Sequence, residues 1–385
     1  MKITKITEKP IYLQSNISNA LVNFSQHTVS LVSIHTDQLR DGKPVIGRAF
    51  NSIGRFAQSG ILRDRMIPRL LDVEPDSLLQ SSGKNFCPEQ VLACIMRNEK
   101  PGGHGDRAHA AAALELAIWD INAKLNQEPV YRTIANHYGR LDPKSTIGVY
   151  AAGGYYYDQS STQQLKDELQ RYQDLGFNRY KIKIAGAPLH FDLQRIESAL
   201  TIVGSANKLA VDANGKLSLQ EALEYAQALE PYGLMWFEEA GDPLDFALNK
   251  ALIENYSHPV ATGENLFSAA DVRNLVAYGG MRTGLDIFQM DSGLSYGITE
   301  YVRMLEIMES KGFDRTMAFP HGGQLLALHV VAGLGLGGCE LYPGIFAPLG
   351  GLGDFMTIED GYVHMPETPG FGLEAKSELF KQFDI

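Results

Sequence analysis

The sequence predicts an α/β protein, a TIM-type barrel of eight strands and seven helices that follows a separate α+β region. Three observations predict it. From Ser145 onward, short apolar runs alternate strictly with helical patterns, as βα units do. Several of these runs end on charged residues: Lys181-Ile182-Lys183, Val211-Asp212, Phe237-Glu238 and Gly263-Glu264. The acids recur at a fixed interval, 26 residues from Asp212 to Glu238 and 26 more to Glu264. That interval fits one strand, one helix and two loops. In such a barrel every strand ends on the same rim, where active sites are built.

In chain order, Ile3–Leu13, Thr28–Thr36 and Pro44–Phe50 are β-rich and separated by polar or glycine-containing breaks, so they read as an antiparallel meander. The period then turns helical: one helix begins at Ile61, another spans Pro88–Met96, and an Ala-rich one spans Ala110–Leu125 with Leu114, Ile118 and Ile121 on one face. Barrel strands are expected at Thr146–Ala151, Arg179–Ile184, Lys208–Asp212, Leu234–Glu238, Pro259–Gly263, Asp286–Met290, Thr316–Phe319 and Cys339–Tyr342. Helices fill the gaps, at 163–173, 191–202, 218–229, 246–255, 269–277, 298–310 and 324–333. The Gly- and Pro-rich tail after Leu352 carries one strand-like piece, Tyr362–Met365, and is expected to fold back on the first region. The string Gly333-Leu334-Gly335-Leu336-Gly337-Gly338 matches GxGxxG, but it follows a helix and precedes a strand. A dinucleotide loop has the reverse order, so this is a helix-to-strand turn.

The 385 residues carry a formal charge of −11, which argues against nucleic acid as a partner but not against a small anion in a locally basic cleft. Cys87, Cys94 and Cys339 form no CxxC pair and read as reduced thiols. The first residues, Met1-Lys2-Ile3-Thr4-Lys5, do not resemble a signal peptide, and no apolar run approaches the ~20 residues of a membrane span. The expected location is the cytoplasm, with no membrane partner.

Three carboxylates at strand ends, with no histidine among them, form an all-oxygen set that suits Mg²⁺; zinc favours His or Cys. One such acid alone would be structural more often than not, and the equal spacing favours the metal reading. Glu239 points to the other face by strand alternation and reads as a supporting group. Lys181 and Lys183 face the same side. Two ammoniums beside a divalent cation repel, so one is expected to lose its proton readily enough to act as a base. The alternative, a solvated basic edge, fits poorly with so apolar a run. Asp291 and His321 close adjacent strands, which would let the carboxylate orient the imidazole into the cavity. Glu340 either bonds a substrate oxygen or only closes the barrel.

The KxK strand, the Asp/Glu/Glu acids on the next three strands and the opposing His-Asp pair resemble the enolase superfamily in its mandelate-racemase-like subgroup, over the whole chain. Longer strings resemble the dehydratases of that subgroup more narrowly: Asn98-Glu99-Lys100-Pro101-Gly102-Gly103-His104-Gly105, Tyr150-Ala151-Ala152-Gly153-Gly154-Tyr155-Tyr156-Tyr157, Ala261-Thr262-Gly263-Glu264-Asn265-Leu266-Phe267-Ser268 and Pro320-His321-Gly322-Gly323. One departure is Glu238-Glu239-Ala240, where many relatives have Glu-Glu-Pro. The resemblance implies a modified (β/α)₇β barrel (131–355) with an α+β capping domain (1–130) and a C-terminal segment (356–385) returning to it. It implies one Mg²⁺ on Asp212, Glu238 and Glu264, Lys183 as base, and His321 with Asp291 as the opposing acid. Lys181 would neutralise charge, and the substrate would be a 2,3-dihydroxy dicarboxylate that loses water. It implies Asn19, Arg55, Lys100, Tyr155 and Glu340 as substrate contacts, with Tyr156 and Tyr157 as rivals of Tyr155, His104 as a loop residue, and a homo-oligomer. Racemisation by the same Lys and His, and a non-catalytic metal-binding barrel, are the competing functions.

Overall fold

The computed structural model describes residues 1–156 and 162–383. The chain begins with an antiparallel sheet of β1 (Ile3–Tyr12), β2 (Thr28–Arg40) and β3 (Lys43–Phe50), in the order β1-β2-β3. Five helices follow: α1 (Ser59–Ile61), α2 (Ile67–Leu71), α3 (Pro88–Ile95), α4 (Asp106–Asn126) and α5 (Val130–His137). A π-helical turn, Leu62–Met66, joins α1 to α2. The sequence reading missed α5.

The expected one-sided face of α4 is not what forms. Every residue from Ala108 to Ala123 is buried. Helix α4 runs against β2 and β3 on one side and against α3, α5 and the later helix α11 (Ile298–Ser310) elsewhere, so it has no solvent face. Its alanines allow that close approach. At Gly47 on β3 a Cβ would stand 2.1 Å from the Ala117 carbonyl oxygen. Glu115 then ties α4 to α11 (Ile298–Ser310): its buried carboxylate accepts from the backbone N–H groups of Ile298 and Thr299, both at 2.9 Å, and from Trp119 Nε1 at 2.8 Å. These bonds satisfy helix-terminal donors that burial would otherwise leave unpaired.

The barrel strands are β4 (Thr146–Gly153), β5 (Tyr180–Lys183), β6 (Leu209–Asp212), β7 (Phe237–Glu238), β8 (Val260–Thr262), β9 (Ile287–Phe288) and β10 (Cys339–Leu341), all parallel in that order, with β10 returning to pair β4. Between them run α6 (Thr162–Asp174), α7 (Leu189–Val203), α8 (Leu219–Leu229), α9 (Phe246–Glu254), α10 (Ala269–Tyr278), α11 and α12 (Leu325–Leu334). The expected strand at Thr316–Phe319 is reduced to a single bridge, Phe288 to Ala318, preceded by a 3₁₀ turn at Arg315–Met317. Ala318 still links both sides of the ring, because its carbonyl accepts from Gly337 at 3.0 Å. The glycine string behaves as a turn: α12 stops at Leu334, Gly335 takes a left-handed φ of 71°, and β10 starts at Cys339.

Inside the ring, Tyr150, Ala210, Trp236, Ala261 and Ile287 form their own apolar cluster, which closes the barrel beneath the rim. The tail divides. Its hairpin, β11 (Ile358–Glu359) and β12 (Tyr362–His364), adds antiparallel to the first half of β4 and so joins the barrel sheet, not the N-terminal sheet. The last part meets the N-terminal region: Phe371 donates to Asp120 on α4, and Glu374 pairs with Lys124 and Arg48. The closing helix α13 (Ser377–Phe383) lies against β2. Among the described residues no helix is long and apolar enough to cross a membrane.

Candidate active site

The regular interval of the acids becomes register. Lys183 pairs with Asp212 across β5 and β6, and Asp212 with Glu238 across β6 and β7. Oxygens of Asp212, Glu238 and Glu264 lie within 4.8 Å of one another, and all three residues are buried. Lys181 is 1% exposed; its Nζ reaches Glu238 at 2.5 Å, Glu340 at 2.8 Å and Asp212 at 3.5 Å. Lys183 Nζ donates to Asp212 at 2.5 Å and stands 5.1 Å from the Tyr155 ring centre. Glu340 points inward: one oxygen takes Lys181 and the other accepts the Gly322 N–H at 3.1 Å.

The charges at the rim do not balance. Burial raises the Glu238 carboxyl, and the neighbouring Asp212 adds to this against the pull of Lys181, pushing it up to about 8. Burial would also raise Asp212, but Lys183 and Lys181 hold it well below the carboxylate range. A buried acid raised by burial and by a second acid beside it marks a site short of positive charge. A hard dication is the group this oxygen set fits, and Mg²⁺ meets that description.

The lysines depart from expectation. Burial lowers Lys183, but Asp212, Tyr155 and Glu238 together outweigh burial and the Lys181 ammonium, so Lys183 is raised above its ordinary value. The expected fall rested on repulsion between two ammoniums beside a divalent cation, and in the protein alone the carboxylates serve the lysines. Glu239 also departs. It lies past the end of β7 with φ +38°, so strand alternation does not reach it. Its carboxylate accepts from Asn265 Nδ2 at 2.8 and 2.9 Å, and Asn265 accepts from Arg55.

Opposite the lysines, His321 Nδ1 lies 3.0 Å from Asp291 Oδ2, as the adjacent strand ends suggested. Its Nε2 lies 3.0 Å from the Tyr342 hydroxyl and 3.9 Å from Glu264. Burial would lower this imidazole, but Glu264, the Asp291 bond and Glu340 push it up to about 9.

A narrow cleft of about 50 Å³ joins these groups to the N-terminal region. Lys183, Asn214, Glu264 and His321 form its floor; Asn19, Arg55, Tyr155 and Tyr342 stand on its walls with Val22, Phe24, Ile53 and Phe346. The loop carrying Asn19 is fixed to the barrel rim by paired backbone bonds between Ser18 and Tyr156. The Asn19 side-chain oxygen accepts from Leu21 and Val22, which makes it the pivot of that loop. Of the tyrosines, Tyr155 faces the cleft, Tyr156 donates to Asp192 at 2.6 Å, and Tyr157 lies outside the described residues. Lys100 is not in this cleft. It is exposed beside a separate hollow with His104, Arg107 and Tyr296, and its carbonyl accepts from Arg107 at 2.8 Å. His104, in the same loop as Lys100, bonds Tyr296 at 3.0 Å.

Four residues at the site were not singled out from the sequence. Asn214 donates twice to Asp212 and keeps a buried, unpartnered Oδ1. Gln289 and Trp236 donate to Glu238 Oε2 at 2.7 and 2.8 Å. Tyr342 is the fourth. Each lies two residues from a chosen residue: 212 and 214, 236 and 238, 289 and 291, 340 and 342. Their closeness in sequence to those residues was the signal that could have found them.

Residues 164–379 match the family model "Enolase C-terminal domain-like". The chain belongs to that family, within the enolase superfamily. This enolase-superfamily member is 26% identical to an arabinonate dehydratase from Saccharolobus solfataricus over 73% of its length and 74% of that protein's. It is 28% identical to a 3,6-anhydro-alpha-L-galactonate cycloisomerase from Streptomyces coelicolor, over 71% and 70%. Its fold matches the crystal structure of L-talarate dehydratase from Polaromonas sp. JS666 complexed with Mg and L-glucarate, with a TM-score of 0.76 at 21% identity, covering 95% of this chain and 92% of that one.

Proposed function

We propose that this protein is an acid-sugar dehydratase whose substrate is D-tartrate and whose product is oxaloacetate. One observation carries the proposal: Lys183 and the Asp291-oriented His321 face a single cleft from different parts of the ring, and Glu264 of the three metal-capable acids lines it. Elimination of water needs a base at the α-proton and an acid at the β-hydroxyl, and these two groups supply them. The dehydratase relatives support the reaction class.

Asp212, Glu238 and Glu264 would hold Mg²⁺. When bound, Mg²⁺ supplies Lewis-acid stabilisation of negative charge on a substrate carboxylate and relieves the crowding of the three acids. In that setting Lys183 gives up its link to Asp212 and takes the α-proton. Lys181, anchored by Glu340, remains cationic beside the developing charge. The electron pair left on the α-carbon forms the new C=C bond and expels the β-hydroxyl. His321 protonates that hydroxyl as it departs as water. The enol product tautomerises to the keto acid. Arg55 and Asn19 stand where a second carboxylate would be met, and Tyr155 offers a hydroxyl.

The walls support a short substrate. Val22, Phe24, Ile53 and Phe346 give an apolar boundary that offers no partner to the extra hydroxyls of a six-carbon diacid, and leaving a hydroxyl unpaired there costs about 1–3 kcal/mol. The test is a product assay with Mg²⁺ on D-, L- and meso-tartrate and on six-carbon sugar diacids, with and without excess chelator. Chelator-sensitive oxaloacetate from D-tartrate alone is the expected result. No oxaloacetate from any isomer overturns the tartrate reading. Solvent deuterium recovered in an inverted substrate, with no loss of water, would make the enzyme a racemase or epimerase.

A further inference from the structure

Tyr342 is a buried cleft residue that the steps above leave without a role. Its hydroxyl lies 3.0 Å from Nε2 of His321, the nitrogen that remains once Asp291 has taken Nδ1. The ring is held firmly. It meets Phe346 edge-on at 4.9 Å, and the Tyr342 N–H donates to the Gly323 carbonyl at 3.2 Å. Gly323 has φ +56°, and a Cβ there would come within 2.2 Å of Tyr342 Cδ2. The glycines after His321 therefore do more than turn the chain: Gly323 makes the space that brings this phenol to the imidazole.

We propose that Tyr342 is a positioning residue for His321, holding Nε2 toward the cleft in both protonation states of the elimination. The proposal rests on the dehydratase reading. A phenol suits this task because it accepts from an imidazolium N–H and donates to a neutral ring nitrogen. Before elimination the Tyr342 oxygen accepts from Nε2–H. The proton then passes to the departing hydroxyl as the carbon–oxygen bond breaks, and the Tyr342 O–H turns to meet the freed lone pair. Tyr342 keeps its own proton throughout. Burial raises it well above the ordinary phenol value, which suits a hydrogen-bond partner and not an acid. Without the hydroxyl, Nε2 would be buried and unpaired in its neutral state, with Glu264 as the nearest alternative at 3.9 Å.

The test uses the full chain with Mg²⁺ and D-tartrate in deuterated water, comparing wild type with Tyr342→Phe and Gly323→Ala. Oxaloacetate formation reads the His321 step, and deuterium in recovered tartrate reads the Lys183 step. We expect oxaloacetate formation to fall about 10- to 100-fold in both variants while exchange stays within about threefold of wild type, a range in keeping with one lost hydrogen bond to a charged group. Equal loss of both readouts, or loss of neither, overturns the proposal. A second readout needs no turnover: the ¹⁵N shift of His321 Nε2 should move in Tyr342→Phe while that of Nδ1 stays. An unmoved Nε2 overturns the proposal even if wild type acts on none of the acids, an outcome that would defeat the dehydratase reading separately.

Discussion

Replacing Lys181 with Met should weaken the metal-free protein while strengthening its hold on Mg²⁺. Lys181 is a fully buried ammonium within 2.8 Å of Glu238 and Glu340 and 3.5 Å of Asp212. Met keeps most of the stem and removes the charge. Losing one partner of a buried ionic cluster costs about 3–5 kcal/mol, because the remaining charges are left uncompensated. Unfolding entropy is about 2.1 cal/mol/K per residue. Over 385 residues the expected fall in Tm is about 4–6 °C. Two of these carboxylates, Asp212 and Glu238, belong to the proposed metal site, so the lysine competes with the dication for them. At 4 Å and an effective dielectric near 20 a unit pair is worth roughly 4 kcal/mol, so even a third of that gives a tenfold tighter Kd. Trp236 is a built-in reporter, since its Nε1 donates to Glu238. Titrating Mg²⁺ against its emission, and following Tm with chelator and with metal at about 100 times Kd, checks both halves. Saturation at that level adds about 2.7 kcal/mol to either protein. An unchanged or weaker Mg²⁺ affinity in the variant would refute the competition between lysine and metal.

Lys183→Met should lower turnover at least 100-fold and abolish deuterium exchange at the α-carbon, with Mg²⁺ affinity kept or raised; exchange and turnover are followed by NMR. In the metal-free protein His321 is raised from 6.5 to about 9, so its contribution to stability is complete below about pH 6.5 and disappears as pH climbs through 9. Unfolding of wild type and His321→Gln in chelator at pH 6 and pH 9.5 should therefore differ by roughly 3 kcal/mol at the lower pH and converge at the higher.

The rim was legible because each βα unit puts its functional residue at one place in its own repeat. Spacing gave the order of Asp212, Glu238 and Glu264, with Lys183 on the strand before, and the structure pairs Lys183 with Asp212 and Asp212 with Glu238 in register. Their partners at two-residue offsets were equally available, but Gln289 and Tyr342 carry no charge to draw notice. Other features depended on packing that no local pattern encodes. The strand expected at Thr316–Phe319 needs neighbours on both sides, and only Ala318 finds one in register. The fully buried α4 looks amphipathic until sheet and barrel helix both close on it. Lys100 was placed at the site because its loop resembles a known one. Arg107, bonded to Lys100 O, Gly102 O and Tyr296, fixes that loop beside another hollow.

Strand β4 has a consequence for synthesis. Its free side is shared by two late pieces of chain: β12 covers Thr146–Gly148 and β10 covers Val149–Ala151. The ribosome finishes β4 at Gly153 and does not supply β10 until Leu341, and β12 comes later still. At about 5–20 residues per second that interval is roughly 10–40 s. For all of it, a strand reading Ile147-Gly148-Val149-Tyr150-Ala151 presents unpaired backbone on one side, the form of edge that recruits other strands. The nascent chain is thus open to misassociation until well after the acids of the rim have been translated.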